Sequence, residues 1–576
     1  MIINYIHSML PRIIIIYLLI CIVSCAPTSK DTAPDLIIHN ATIYTGTESN
    51  ETYTAISIKD DRIVNLGDSE LVENVQSTVT KVIDAKGQFL MPGFIEGHGH
   101  FSGLGETLQN LNFLTDTSWQ AIVKKVEDKA CEVEPGEWIY GRGWHQEKWD
   151  IAPTDIVGGY PTHHTLSEIA PDNPVILVHA SGHSLFANAK AMELAGINSE
   201  SVDTVGGKII KDTNKNPIGV FEENSMDHIK KAFNNYKKGL NVERQTALWH
   251  QAIDLAQKEC LENGITSFQD AGSKFYELER YEQLAKDGKM NIRLWAMVRH
   301  NSKELRGKVG KYRKVDVGNG HFTCRAIKTE VDGALGAHGA WLLEPYSDKP
   351  GFIGQNTTEI SEVDEIAAIA NKNNMQLCIH AIGDRANKEV LDIIEKYKDD
   401  KNDKRWRIEH AQHLNPTDIM RFKSTGAIAS MQGVHCTSDA PFVVKRLGTL
   451  RAKVGAYAWK ALLNEGVTIV NGTDTPVENI DPIKNYFATV TRTREDSGME
   501  FFVTNKMSRE EALRSYTIDA AYGAFEEKDK GTLEVGKYAD LVLLSKNLLL
   551  CKDLEILETK VMMTIVGGEI KYTLEK

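Results

Sequence analysis

Residues 467–476 read VTIVNGTDTP, a β-branched run that turns polar at its C-terminal end. A strand that is apolar at consecutive positions is buried on both faces, which is the habit of a parallel sheet. Gly472 suits a sharp turn and Pro476 stops the strand from continuing. Asp474 is thereby left at the exit of a buried strand.

The same pattern precedes it seven times: GFIEGHGH (93–100), GITSFQDAG (264–272), NIRLWAMVRH (291–300), TCRAIKTEVDGA (323–334), MQLCIHAIGD (375–384), RWRIEHAQ (405–412) and AIASMQGVH (427–435). Longer helical patterns separate these runs, and strand–helix alternation with eight strands predicts an α/β fold, a TIM-type (β/α)8 barrel over 93–527. The gap between the first two runs is too long for one helix. An inserted α+β subdomain is therefore expected at about 103–260, where NPVILVHASGHSLFANAKAMELAG (173–196) reads as a strand followed by a helix. At the chain ends, DLIIHNATIYTG (35–46), YTAISIKDDRIVNLG (53–67) and TKVIDAKGQFLMPG (80–93) alternate like a small antiparallel sheet. GKYADLVLLSKN (536–547) and KVMMTIVGGEIKY (560–572) read alike, with Gly567-Gly568 suited to a tight hairpin. Segments 36–92 and 528–576 are expected to meet in one β-sandwich.

The chain has 576 residues, 42% hydrophobic and 25% charged, as in an ordinary globular protein. A net charge of −13 with no basic stripe argues against a nucleic-acid partner. The N-terminal RIIIIYLLICIVSCAPTS (12–29) places Arg12 before an apolar run shorter than the ~20 residues that span a bilayer, so a signal peptide is expected over 1–25. Ser24-Cys25 followed by APTSKDTAPD resembles a bacterial lipobox. That reading makes Cys25 the acylated first residue, 26–35 a tether, and the protein exported and lipid-anchored to a cell membrane; a plain cleaved signal is the alternative. The six later cysteines show no metal-knuckle or disulfide spacing, and several of them, in apolar runs, read as buried thiols.

The polar residues at the strand exits carry the chemistry, because the C-terminal ends of barrel strands build the active site. They are His98 and His100, Lys328 with Asp332, His380, His410 and Asp474. In a strand, His98 and His100 point the same way. Imidazole and carboxylate suit Zn²⁺, Fe²⁺ or Mn²⁺, and such an ion gives a hydroxide nucleophile at neutral pH. Asp474 is placed to take the proton of that water and hand it to a leaving nitrogen.

Taken in order, PGFIEGHGH, GHSLFANAKAM, IKTEVDGALGAHGA, IHAIGDRANKEVL, RIEHAQ, GTDTPVE and GTLEVGKYADLVLL resemble the amidohydrolase superfamily, specifically the type 3 branch that includes N-substituted formamide deformylases. The resemblance implies one or two divalent ions, Zn²⁺ first, held by His98, His100, His380, His410 and Asp474. Lys328 falls where the family often has a carboxylated lysine; an unmodified Lys328 paired with Glu330 or Asp332 is the other reading. The chain departs from the family at Glu96, usually Asp, at Ser181-Gly182-His183, often DGH, and at His338, frequently Arg. These departures mark substrate-facing candidates, and Trp144, His183, Asp332, His338 and His435 are the expected substrate contacts. In GRGWHQEKW (141–149), Trp144, His145 and Trp149 form either a gating lid or a packed aromatic cluster.

The expected function is hydrolysis of non-peptide C–N bonds in a small molecule. A lactone or ester hydrolase and a catalytically silent binding lipoprotein are the alternatives, and a homodimer is left open.

Overall fold

A computed structural model describes residues 33–575 except 49–51, 69, 114–115, 145, 147–148, 151–152, 154, 180–183, 205–206, 337 and 400–402. The signal segment, Cys25, His145 and His183 lie outside the described residues. Eight strands form the barrel: β1 (Phe94–Gly99), β2 (Ile265–Ser273), β3 (Arg293–Val298), β4 (Phe322–Glu330), β5 (Gln376–Ala381), β6 (Arg407–His410), β7 (Ile428–Gln432) and β8 (Ile469–Gly472). They pair in that order, each parallel to the next. The seam between β8 and β1 is bridged just past the strand ends. The Asp474 N–H donates to the His98 carbonyl and the His100 N–H to the Thr475 carbonyl, each at 2.7 Å. The expected barrel is present, and one added strand, Lys314–Val317, pairs antiparallel to β4.

The helices outside the barrel are amphipathic for the usual reason. In Asp384–Lys396, residues Ala386, Val390, Leu391 and Ile394 repeat at helical spacing and are buried, while Asp384 and Lys396 sit at the termini that the helix dipole favours for their charges. The N-terminal end of the barrel is stopped by helix Ile518–Gly523. Its Ala520 and Ala521 pack on Ile95, Ile428 and Val470, and Gln269 Nε2 donates to the Ala520 carbonyl at 2.8 Å.

Between β1 and β2 a six-stranded sheet runs Leu111–Asn112, Ile139–Trp144, Val175–His179, Ser184–Ala187, Pro217–Glu223, Gly207–Lys211 in spatial order. Helix Val242–Glu262 falls in the stretch expected as insertion, yet its Trp249, Ile253, Ala256 and Cys260 share the barrel's own core with Phe101 and Leu104. It is the helix that leads into β2.

The chain ends form two sheets that share one apolar layer of Leu36, Ile38, Ile56, Ile58, Leu90, Leu541, Leu543 and Ile565. Neither sheet is purely antiparallel, as the alternation had suggested: Leu36–His39 runs parallel to Lys81–Asp84, and Thr42–Ile43 parallel to Phe89–Pro92. A hairpin and a helix intervene before Lys81, enough chain for a crossover. Gly567 and Gly568 have φ of 55° and 77°, the pair of positive values that a two-residue I′ hairpin needs. A buried ion pair, Arg293 Nε to Asp540 Oδ2 at 2.7 Å, ties the entrance of β3 to the C-terminal sheet. Among the described residues no helix is long and apolar enough to cross a membrane, and the cysteines Cys131, Cys260, Cys324, Cys378, Cys436 and Cys551 are free thiols.

Candidate metal centre

Arg407 and Glu409 lie on one face of β6 and Ile408 on the other, so strict alternation would send His410 to the side of Ile408. It does not go there, because His410 takes a φ of 75°. That left-handed residue brings its ring beside His98 and His380, with centroids 4.7 and 4.4 Å away. Asp474 is likewise left-handed, at φ 59°. Strained non-glycine backbone of this kind concentrates at functional sites. The turn expected at Gly472 is thus made by Asp474 itself. Gly472 is required for another reason: a Cβ there would lie 2.4 Å from Glu96 Oε1 and 2.5 Å from His98 N.

His98, His410 and Asp474 each offer a ligand atom, all within 4.8 Å of one another. Asp474 Oδ1 lies 3.5 Å from His98 Nε2 and 3.2 Å from His100 Nε2. His98 Nε2, His380 Nε2 and Asp474 Oδ1 are buried and have no hydrogen-bond partner, a rare and costly condition in a protein interior. A cation among them satisfies lone pairs that the protein leaves over.

The other ring nitrogens show which tautomers are present. His98 Nδ1 faces Glu409 Oε2. Burial would raise the Glu409 carboxyl, but Arg407 and His98 outweigh it and hold it well below its ordinary value. An ionised carboxylate only accepts, so His98 Nδ1 carries the proton and Nε2 the lone pair. Burial and the Lys328 ammonium push the His98 pKa down to about 4, which keeps the ring neutral. His410 Nδ1 faces Gln432 Oε1 at 2.8 Å, and the Gln432 amide is oriented by its own bond to the Ser430 carbonyl at 3.3 Å. Its Nε2 is therefore also a lone pair. Metal-binding histidines are oriented in this way by carboxylate or carbonyl acceptors. For Asp474, burial opposes ionisation, and interactions led by the neighbouring His100 imidazole outweigh it and hold the carboxyl well below the usual range. Imidazole lone pairs with a carboxylate form a donor set suited to a divalent ion.

The remaining sequence candidates divide. Lys328 is buried, and burial lowers its ammonium below the ordinary value while Glu409 opposes that shift. His380, its pKa pushed to about 3 by burial and then by Lys328, stands at the edge of the cluster with Nε2 3.8 Å from Asp332 Oδ1. His435 reaches Asp474 Oδ2 at 3.9 Å. Four expected substrate-facing residues are occupied elsewhere. Trp144 is fully buried in the inserted segment's core, stacks near Trp149, meets Phe186 edge-on, and donates to the Leu177 carbonyl at 2.8 Å; it packs rather than gates. Asp332 accepts from the amides of Ile382, Gly383 and Trp341 at 2.8–2.9 Å, so its carboxylate organises two loops. His338 is tied to Asp348 at 3.2 Å, itself held by Arg446. Glu96 accepts from Thr473 N, Thr473 Oγ1 and His98 N at 2.7, 3.0 and 3.2 Å, an internal strut between β1 and the β8 exit.

Sequence reading missed Glu409, Arg407, Gln432 and Gln412. Arg407 is fully buried and donates to Glu409, to the Gly97 carbonyl at 2.7 Å and to Ser430 Oγ at 2.8 Å. The signal was available: opposite charges two apart in a strand that must be buried have to be paired.

The sequence pattern that defines the Amidohydrolase family matches residues 81–572. The putative amidohydrolase YtcJ of Bacillus subtilis is 29% identical over 93% of this chain and 99% of its own length. The N-substituted formamide deformylase of Arthrobacter pascens is 26% identical over 93% and 98%. An uncharacterized metal-dependent hydrolase from Pyrococcus furiosus superposes with a TM-score of 0.69 at 28% identity, covering 89% of this chain and 99% of that one. With a matching barrel and a matching pattern over nearly its whole length, the chain belongs to the amidohydrolase family and is a hydrolase.

Proposed function

We propose that the protein hydrolyses a non-peptide C–N bond of a small molecule, such as a formamide, an N-acyl amine or a cyclic amide, with His98, His100, His410 and Asp474 holding a divalent ion, Zn²⁺ by preference. Lys328 and His380 would serve a second ion. The observation that carries the reading is the convergence of unpartnered His98 Nε2 and Asp474 Oδ1 on one buried point, with the tautomers of His98 and His410 set by Glu409 and Gln432. The formamide deformylase among the relatives supports the bond type. When bound, such an ion lowers the pKa of a water to about 7 and polarises a carbonyl.

The chain's own residues do the rest. Asp474, ionised and short of partners at Oδ1, takes the proton of the attacking water and delivers it to the departing nitrogen. Glu409 keeps the His98 ring turned with its proton on Nδ1, while burial and Lys328 keep it neutral. Burial favours the neutral amine of Lys328, the form that adds carbon dioxide to give a carbamate with two anionic oxygens in place of a repelling ammonium.

The test pairs elemental analysis of chelator-free protein with a panel of N-formyl, N-acyl, cyclic-amide and lactone substrates. Bound metal and turnover of an amide are expected. Metal near zero with no activity restored by Zn²⁺, Mn²⁺ or Fe²⁺, or turnover confined to lactones, refutes the reading. We further propose that Cys25 anchors the protein to a bacterial membrane, on the strength of the Ser24-Cys25 lipobox. A Cys25→Ser protein that is still processed and membrane-bound refutes that placement.

A further inference from the structure

His435 is oriented oppositely to its neighbours. It sits in the short helix Gly433–Ser438 directly after β7, whose first amides are held by Asn471 Oδ1 and Asn485 Oδ1 at 3.2 and 2.5 Å. Its Nδ1 faces the Gln412 amide nitrogen at 3.1 Å. An amide N–H donates, so this Nδ1 accepts, and the proton of the neutral ring lies on Nε2. That nitrogen is buried without a partner, 3.9 Å from Asp474 Oδ2, in a ring nearly parallel to that of His410 at 6.1 Å. His98 and His410 present lone pairs to the centre and suit a cation. His435 presents an N–H, which repels a cation and suits negative charge.

We propose that His435 Nε2–H is the donor that receives the oxyanion developing on the scissile carbonyl oxygen, and that Gln412 is the positioning residue that keeps the proton on Nε2. The inference rests on the hydrolase reading above. Water oxygen bonds to the carbonyl carbon while Asp474 takes its proton. The π pair moves onto the carbonyl oxygen, which His435 Nε2–H binds without giving up its proton. Collapse returns that pair to the carbonyl, breaks the C–N bond and leaves the electron pair on nitrogen, which takes the proton from Asp474. A buried donor aimed at developing charge contributes roughly 10²–10³-fold to turnover.

Three variants of the holoenzyme test this. His435→Phe removes the donor. Gln412→Glu substitutes an acceptor, which moves the ring proton to Nδ1 and turns Nε2 into a lone pair. His435→Gln retains an N–H. The first two should lose roughly 100-fold in kcat with KM within a few-fold and metal content unchanged, while His435→Gln recovers much of the loss. A tetrahedral phosphinate analogue should bind those two variants roughly 100-fold more weakly, and a planar amide analogue about as well as the wild type. ¹⁵N NMR of histidine-labelled protein should show the His435 proton on Nε2 in the wild type and on Nδ1 in Gln412→Glu. Unchanged kcat or phosphinate affinity in either variant, or an Nδ1 proton in the wild type, overturns the proposal. A wild type that holds no metal and turns over nothing on the panel refutes the hydrolase reading instead, and the NMR arm still decides the tautomer.

Discussion

Replacing Glu409 by Gln changes one oxygen into an NH₂ and leaves shape intact, yet it should uncouple the candidate metal centre. In the native protein the two Glu409 oxygens receive Arg407 Nε at 2.7 Å, Arg407 Nη2 at 3.0 Å and His98 Nδ1–H. Glutamine has one acceptor oxygen for these donors. If the oxygen stays with Arg407, the NH₂ faces His98 Nδ1, which must then accept. The ring proton moves to Nε2, and His98 presents a donor where it had presented a lone pair. If the oxygen turns to His98, the NH₂ meets the Arg407 guanidinium, donor against donor. Loss of such an orienting partner typically lowers metal affinity ~10–100-fold, about 1.4–2.7 kcal/mol. Arg407, fully buried, loses its counter-charge, and a broken buried pair costs ~3–5 kcal/mol of stability. Zn²⁺ titration of the metal-free protein against a chromophoric chelator measures the first term, and thermal unfolding with and without metal measures the second. A Glu409→Gln protein that binds Zn²⁺ within threefold of wild type and unfolds at the same temperature would show that Glu409 neither orients His98 nor neutralises Arg407.

Asp474→Asn should stay folded and lose roughly 10²–10⁴-fold in kcat and kcat/KM together, since its role lies in the transition state; wild-type kcat on a verified substrate rules that role out. Acid should destabilise the metal-free protein through its histidines. His98 titrates near 4 and His380 near 3 when folded, against an ordinary 6.5, so below pH 6.5 the unfolded chain binds protons that the native state does not. Their contribution is complete above 6.5 and is lost as pH falls, so the unfolding midpoint should drop between pH 6.5 and 4.5, and less steeply in His380→Asn; equal slopes refute the assignment. Gly472→Ala forces a Cβ to within 2.4 Å of Glu96 Oε1 and should lower both the unfolding midpoint and metal content; an unchanged protein would mean that β8 and β1 are less tightly apposed than described.

The barrel was legible because burial on both faces of a parallel strand leaves continuous apolar runs, and eight of them stand out of the sequence. Pairing direction at the chain ends was not, since alternation records which face is buried and says nothing of whether the chain crosses over before it returns. At the strand exits, residue type alone could not separate ligands from struts. Asp332 and Asp474 are both aspartates that follow a buried strand, and burial works to raise both carboxyls. Three backbone amides consume the Asp332 carboxylate, whose pKa settles at about 7. Asp474 keeps an oxygen without a partner and is held ionised by interactions led by His100. Trp144 and His98 differ in the same way: the indole N–H of Trp144 is spent on the Leu177 carbonyl, while His98 spends one nitrogen on Glu409 and has the other left over. Such spending is a relation between strands far apart in the chain, with Glu409 standing 311 positions after His98. The sequence can still limit the search. A buried strand that carries two opposite charges, as Arg407-Ile408-Glu409 does, must pair them internally, and a histidine beside such a pair is a candidate for being oriented by it.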